Sequence, residues 1–324
     1  MIAALLVIPG LNFGQFAPPA GESGTTAVHK DSTAIIGWAT EVVSFVRGPE
    51  DITNPDGVLA SFGVPEEALL EAEGNSVNVV SLGDQGSITL SFEYSIRNEP
   101  GNDFAVFENS FSDTYLEFAH VEVSTDGERF VRMPSISNIP TDEQIATYGT
   151  CDPTLVYNLA GKYRQGYGTP FDLEDIVDST GIDLNNVNYV RIVDVVGTID
   201  PEHGTVDSEG NLINDPYKTD FESGGFDLDA VGVMHSNDPT LSQYQEDVKI
   251  AIYPNPANEM FNIQSTENIR SVALRDMSGR KIQLAWTNQP FVQIPLHQIP
   301  AGVYVLIIQM ENGQLTKKKL VIQE

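Results

Sequence analysis

The chain has 324 residues, 41% of them hydrophobic, and sets 46 acidic against 17 basic side chains, for a formal net charge of −29 at pH 7. That length favours two domains, and that charge repels phosphate backbones and anionic lipid headgroups, which argues against nucleic-acid binding. The imbalance is confined to one part: residues 1–248 hold 9 basic and 41 acidic side chains, whereas residues 249–324 hold 8 and 5.

Residues 2–11 form an apolar run that ends before the proline-bearing Phe16-Ala17-Pro18-Pro19-Ala20. A spanning helix needs about 20 residues, so the run suits the hydrophobic core of a secretory signal peptide over residues 1–15, and no transmembrane segment is expected. Ile2 follows Met1 directly, so the basic leader is missing and the signal reads as truncated. A first buried strand is the alternative. No cysteine sits where a lipoprotein would be acylated. The one cysteine, Cys151, has no intramolecular partner and no histidine near it in sequence, and reads as a buried hydrophobe rather than a nucleophile.

Residues 24–236 read as a mostly β body. Pro65 followed by Glu66-Glu67 opens a short helix over residues 65–73. Residues 77–82 and 87–92 are apolar-rich runs around Gly83-Asp84-Gln85-Gly86 and predict a hairpin. Phe104-Ala105-Val106-Phe107 makes a third strand. Residues 120–124 and 130–133 predict a second hairpin through Thr125-Asp126-Gly127, and residues 172–177 a second short helix. Residues 189–196 and 226–233 supply two more strands. This succession predicts a β-sandwich.

Acidic side chains gather at two places in the body. Asp103, Glu108, Asn109 and Asp113 lie within eleven residues, and Asp227 and Asp229 occupy alternate positions of a strand, which would point both to one face. Two carboxylates on a buried face repel unless a cation or proton intervenes, and hard oxygen donors in such number suit calcium. These six residues are therefore the expected ligands of a structural calcium; solvated acids on an outward face, or a catalytic carboxylate pair, remain the alternatives. Residues 200–220 add Glu202, His203, Asp207, Glu209 and Asp215. Their spacing is not that of an EF-hand loop, and they predict a hairpin with an acidic tip, with a second, looser cation site as the alternative.

Between residues 158 and 170, tyrosines, bases and glycines come together in an otherwise acidic body. Tyr163, Arg164 and Tyr167 are the expected ligand contacts there, since exposed tyrosines beside a guanidinium stack on sugar rings and bond their hydroxyls. A structural loop with Arg164 paired to a body carboxylate is the competing expectation. Catalytic signatures are thin. The five histidines are scattered, His120-Val121-Glu122 reads as strand alternation, and no His-Glu-x-x-His, Gly-x-Ser-x-Gly or phosphate-cradling frame occurs, so no catalytic residue is assigned.

A polar stretch over residues 237–248 reads as a linker. Beyond it, Ile250-Ala251-Ile252-Tyr253-Pro254-Asn255-Pro256, the strand running into Asp276-Met277-Ser278-Gly279-Arg280, Pro300-Ala301-Gly302-Val303-Tyr304 and Lys318-Lys319-Leu320-Val321-Ile322 are short strands punctuated by turns, the pattern of a small immunoglobulin-like β-sandwich. These four motifs, in this order, resemble the type A C-terminal sorting domain of type IX secretion, here over residues 249–324. The resemblance implies export across both membranes of a Gram-negative bacterium, recognition by the type IX machinery, removal of the domain by a sortase, and a secreted or surface-attached product. An ordinary immunoglobulin-like accessory module is the alternative.

In the body, the Ser124-Thr125-Asp126-Gly127 hairpin leading to Phe130, the Tyr189-Val190-Arg191-Ile192 strand and the closing Phe226-Asp227-Leu228-Asp229-Ala230-Val231 resemble discoidin-like and carbohydrate-binding jelly rolls, in which a structural calcium is common. Residues 103–111 with Gly224-Gly225 and the same closing strand also resemble an uncharacterised bacterial cell-surface family, from which no activity transfers. The sequence thus predicts an all-β protein, a jelly-roll-like sandwich followed by a small immunoglobulin-like one, that binds a glycan or another extracellular ligand at the cell surface. A polysaccharide hydrolase with paired carboxylates and a structural surface-layer component are the alternatives.

Overall fold

The computed structural model describes residues 16–238, 250–275, 281–297, 299–311 and 315–323. The expected signal peptide, nearly all of the expected linker, and the turns at residues 276–280 and 312–314 lie outside the described residues. The chain divides into two compact units, within residues 1–237 and 238–324. No helix among the described residues is long and apolar enough to cross a membrane.

Among its described residues the first unit contains twelve strands: β1 (Val28–His29), β2 (Gly37–Val46), β3 (Val80–Ser81), β4 (Ser87–Ile96), β5 (Phe104–Glu108), β6 (Ala119–Ser124), β7 (Val131–Arg132), β8 (Ile136–Ser137), β9 (Val156–Tyr157), β10 (Tyr167–Phe171), β11 (Val187–Asp194) and β12 (Asp227–Val233). Nine of them follow the antiparallel order β1-β10-β5-β12-β2-β4-β11-β6-β7, with β3 on the start of β12 and β8 paired to β9 apart. Strand β2 carries the path from one layer to the other. Its Gly37 and Trp38 pair with β12, and its residues from Ala39 onward pair with β4 through two register shifts. Such bulges add twist and bend the strand, so the sheet curls into a sandwich around one core. Phe104, Val106, Phe171 and Val231 enter that core from one half, and Ile88, Leu90, Val121, Val190 and Ile192 from the other.

Strands β5, β6 and β12 are buried at every position. A strand buried on one face would alternate; here smaller clusters cover the second face. Ala105, Phe107 and Ala230 pack with Trp38 in one, and Leu116, Phe118, Val156 and Leu159 pack in another. The β6–β7 hairpin forms as its Asp-Gly turn predicts. The hairpin expected across residues 83–86 does not: β3 pairs with β12, while β4 lies between β2 and β11. The apolar runs are genuine strands, but a two-sided core gives each a better partner than its sequence neighbour. The two expected helices shrink to single 3-10 turns, Pro65–Ala68 and Leu173–Ile176, the latter capped by the Asp172 carboxylate.

The second unit holds β13 (Ala251–Tyr253), β14 (Met260–Arg275), β15 (Lys281–Pro295), β16 (Gly302–Met310) and β17 (Leu315–Ile322). Long β14 pairs with β13, β15 and β16, and β16 with β17. The alternating residues Phe261, Ile263, Leu274, Ile294, Leu306, Ile308, Leu320 and Ile322 close a core of their own.

Candidate functional site

Much of the body's acidity is structural. Six buried aspartates accept backbone N–H groups of loops. Asp84 takes Ile52 at 2.7 Å; Asp194 takes Gln85 at 3.0 Å and Phe226 at 2.7 Å; Asp215 takes Phe118 at 3.0 Å. Asp207 takes Ser137, Glu209 and Asn211, all at 2.9 Å, and so folds the acidic tip of residues 200–220 around itself. Asp103 takes Glu99 at 3.0 Å and Leu173 at 2.8 Å and meets His235 Nδ1 at 2.9 Å. Asp229 takes Glu73 at 2.9 Å and Gly74 at 2.8 Å. Buried loop N–H groups need acceptors, and a carboxylate supplies up to four lone-pair sites at one point.

The six expected calcium ligands consequently do not form one site. Both oxygens of Asp103 and both of Asp229 are occupied by the donors just named. Asp113 is half-exposed and paired with Arg164. Asp227 and Asp229 part company because Leu228 pairs with Glu108 and Ala230 with Phe107, which leaves Asp229 as the extra residue of a bulge. Alternation fails there: Leu228 faces the main core and Ala230 the opposite cluster. Among the described residues no group of three or more His, Cys, Asp or Glu is arranged to hold a metal ion. As a set, the six residues do not fit calcium.

The expected ligand loop also resolves differently. Tyr163 is 1% exposed, and its hydroxyl pairs with Thr26 Oγ1 at 2.8 Å. Arg164 donates to the Ala20 carbonyl at 3.1 Å, pairs with Asp113 and lies 4.9 Å from the centroid of the Tyr167 ring. The three residues fasten the chain start to the body. Neighbouring Lys162 is buried, donates to Val156 O at 2.7 Å, and has its amine pushed down to about 8 by burial.

Three of the expected residues do come together, at the end of β5 and the start of β12. Asp227 accepts from Ser81 Oγ and, at 2.8 Å, from Asn109 Nδ2. Glu108 accepts from Ser110 N–H at 2.7 Å through Oε2, while its Oε1 is buried without a partner. Asn109 and Asp227 line an open cavity of about 460 Å³ with Phe62, Ser76, Phe111, Tyr115, Glu117, Tyr148, Phe221, Glu222 and Ser223. Phe111 and Tyr115 stack with ring centroids 4.7 Å apart, and Phe111 and Tyr148 are 64% and 77% exposed. Apolar surface held out to solvent in this way around polar groups makes this cavity the candidate site.

Glu117 is 8% exposed, and its Oε1 has no hydrogen-bond partner. Its position is tight: Gly161 has φ +83°, and a Cβ there would fall 1.9 Å from the Glu117 carbonyl oxygen. Burial, reinforced by the charges of Asp227 and Glu108, holds the Glu117 carboxyl well above the usual range. Burial also raises Glu108 to about 8 and Asp227 to about 6; Ser81, Asn109 and the charge of Arg47 restrain Asp227. The cavity therefore sets a Glu117 carboxyl held well above the ordinary range beside an Asp227 raised to about 6.

Glu117, Phe111, Tyr115 and Tyr148 escaped the sequence reading. The signal available was the run Phe111-Ser112-Asp113-Thr114-Tyr115-Leu116-Glu117, whose alternating aromatic and acidic residues follow directly on Glu108-Asn109. Tyr148 belongs to a distant loop and carried none.

Residues 251–323 match the family model of the secretion system C-terminal sorting domain. No curated protein matches. Among solved structures, the chain is similar to the BSP domain of a biofilm-associated protein, at 10% identity and a TM-score of 0.18 over 73% of this chain and 48% of that one. It is similar to the Ruminococcus gnavus β-glucuronidase at 11% identity and TM-score 0.20, over 97% and 48%. It is also similar to PorZ, a surface component of the type IX secretion system of Porphyromonas gingivalis, at 10% and 0.20 over 94% and 48%. The chain spans about half the length of each. These likenesses carry no argument about the body, whereas the sorting tail marks the chain as type IX cargo, delivered to the cell surface or beyond.

Proposed function

We propose that the acidic unit is a glycan-binding module, presented outside the cell by its sorting tail, and that the ligand sits in the cavity bounded by Phe111, Tyr115, Tyr148, Glu117 and Asp227. The observation that supports this most is the pair of solvent-exposed rings, Phe111 and Tyr148, beside buried acceptors in one concave site. Sugar rings present C–H faces to aromatic planes and hydroxyls to carboxylates, amides and serines, and this lining offers all of these. The resemblance of the body's motifs to carbohydrate-binding jelly rolls points the same way. The test is titration of soluble oligosaccharides against the parent and the Phe111→Ala/Tyr148→Ala double variant. Both rings are exposed, so the fold tolerates their loss, and binding should weaken by about tenfold or more. Equal binding by parent and variant would remove the cavity from the account.

A second reading is favoured by the unequal carboxyls. A buried acid raised well above the ordinary range beside a second carboxyl is the arrangement that glycoside hydrolysis asks of a general acid and its partner. Release of reducing ends that stops in Glu117→Gln, with binding retained, would make this unit a hydrolase.

A further inference from the structure

The lining of the cavity is one-sided in charge. It holds five aromatic rings, Phe62, Phe111, Tyr115, Tyr148 and Phe221, and three carboxyls, Glu117, Asp227 and Glu222, with no lysine, arginine or histidine among its residues. Among the described residues the charge of Arg47 bears on Asp227, and Arg47 is not part of the lining. A neutral sugar would leave this imbalance as it is. Aromatic faces are the negative poles of their ring quadrupoles, so rings and carboxyls attract the same kind of group.

Resting on the glycan reading above, we infer that the preferred ligand is an amino sugar, whose ammonium group enters among these rings and meets Glu117. Three features support a cation over a hydroxyl. Glu117 Oε1 is an acceptor without a partner in a side chain more than nine-tenths buried. An ammonium brings three donors and no acceptor, which matches the unpartnered Glu117 oxygen and the ring faces around it. Burial holds the Glu117 carboxyl well above its ordinary range, and an entering cation favours its ionised form, so the pair forms as a charge-assisted bond in a partly dry site. Binding then displaces a proton from Glu117 to solvent, with the ammonium itself unchanged.

The test uses the full chain and three β-1,4-linked trisaccharides that differ only at carbon 2: glucosamine, N-acetylglucosamine and glucose. Titrations are run at about pH 5.5, where the sugar amines already carry their protons, and repeated in buffers of different ionisation enthalpy to count protons. The expected result is at least tenfold tighter binding of the glucosamine trimer with net proton release. Glu117→Gln, which is close in shape to the protonated acid, should abolish both the preference and the release, and Tyr148→Ala, a change on the surface, should weaken the same ligand. Equal binding of all three trimers would overturn the amine and keep the glycan reading. Binding of none would overturn both. A glucosamine preference that survives in Glu117→Gln would report general attraction to an acidic surface and would also overturn the inference.

Discussion

Glu108 gives the sharpest energetic consequence of the buried acids. Burial raises its carboxyl from an ordinary 4.5 to about 8, so the folded unit keeps a proton that the unfolded chain gives up. Where the folded state binds the extra proton, stability falls as pH rises. The contribution is therefore complete below about 4.5 and is lost as pH climbs through about 8. Over most of that window the difference is close to one proton, which is about 1.4 kcal/mol per pH unit, or on the order of 1.5–2 kcal/mol between about pH 6.5 and 8. Asp84, Asp227 and Asp229, each raised to about 6 by burial, add their slope mostly below this interval. Glu117 adds to it in the same direction. Glu108→Gln keeps an acceptor for Ser110 N–H and removes the titration. Urea unfolding can be followed by Trp38, whose ring lies 5.4 Å from that of Phe107, next to Glu108, in a Trp286→Phe background that silences the second of the two tryptophans. The parent should lose stability between the two pH values, and the variant should lose on the order of 1.5–2 kcal/mol less over the interval. A parent that gains stability over that interval, or a variant with the parent's slope, would refute the assignment of a buried, proton-holding Glu108.

The loop-pinning aspartates carry a second consequence: Asp103→Ala strips the acceptor from Glu99 and Leu173 N–H and from His235, and a thermal melt should show a loss of about 3 kcal/mol or more. A change below about 0.5 kcal/mol would mean that water replaces the carboxylate at no cost. Since both oxygens of Asp103 and of Asp229 already accept from protein donors, calcium followed by chelator should leave the midpoint of the acidic unit within about 1 °C, and a chelator-reversible rise of several degrees would reveal a metal site. Cys151 is buried, and burial pushes its thiol far above its ordinary range, so a thiol reagent at neutral pH should label the protein only at the rate of unfolding. Rapid labelling under native conditions would contradict that burial.

What the sequence determined by itself was local. The tail's turn motifs and alternating strands lie within short stretches of chain, so the sorting domain and its export could be read directly. The same holds for the strand content of the body, for Cys151 as an inert hydrophobe, and for the β6–β7 hairpin, whose Asp126-Gly127 turn fixes its own geometry. Tertiary structure decided everything that depended on which strand lies beside which. The apolar run at residues 87–92 could pair with its neighbour or with β2 and β11, and the two-sided core chose the latter. Asp227 and Asp229 alternate in sequence, yet one extra residue opposite β5 turns them to different tasks, since a bulge breaks the period of two on which the prediction stood. Tyr163 looked like a ligand contact because composition shows a ring and a hydroxyl but not that Thr26 receives it. The candidate site joins Glu117, Tyr148, Phe221 and Asp227 from four separate stretches of chain, and the upward shift of its Glu117 carboxyl comes from burial and neighbouring charge, which exist only once those stretches have packed together.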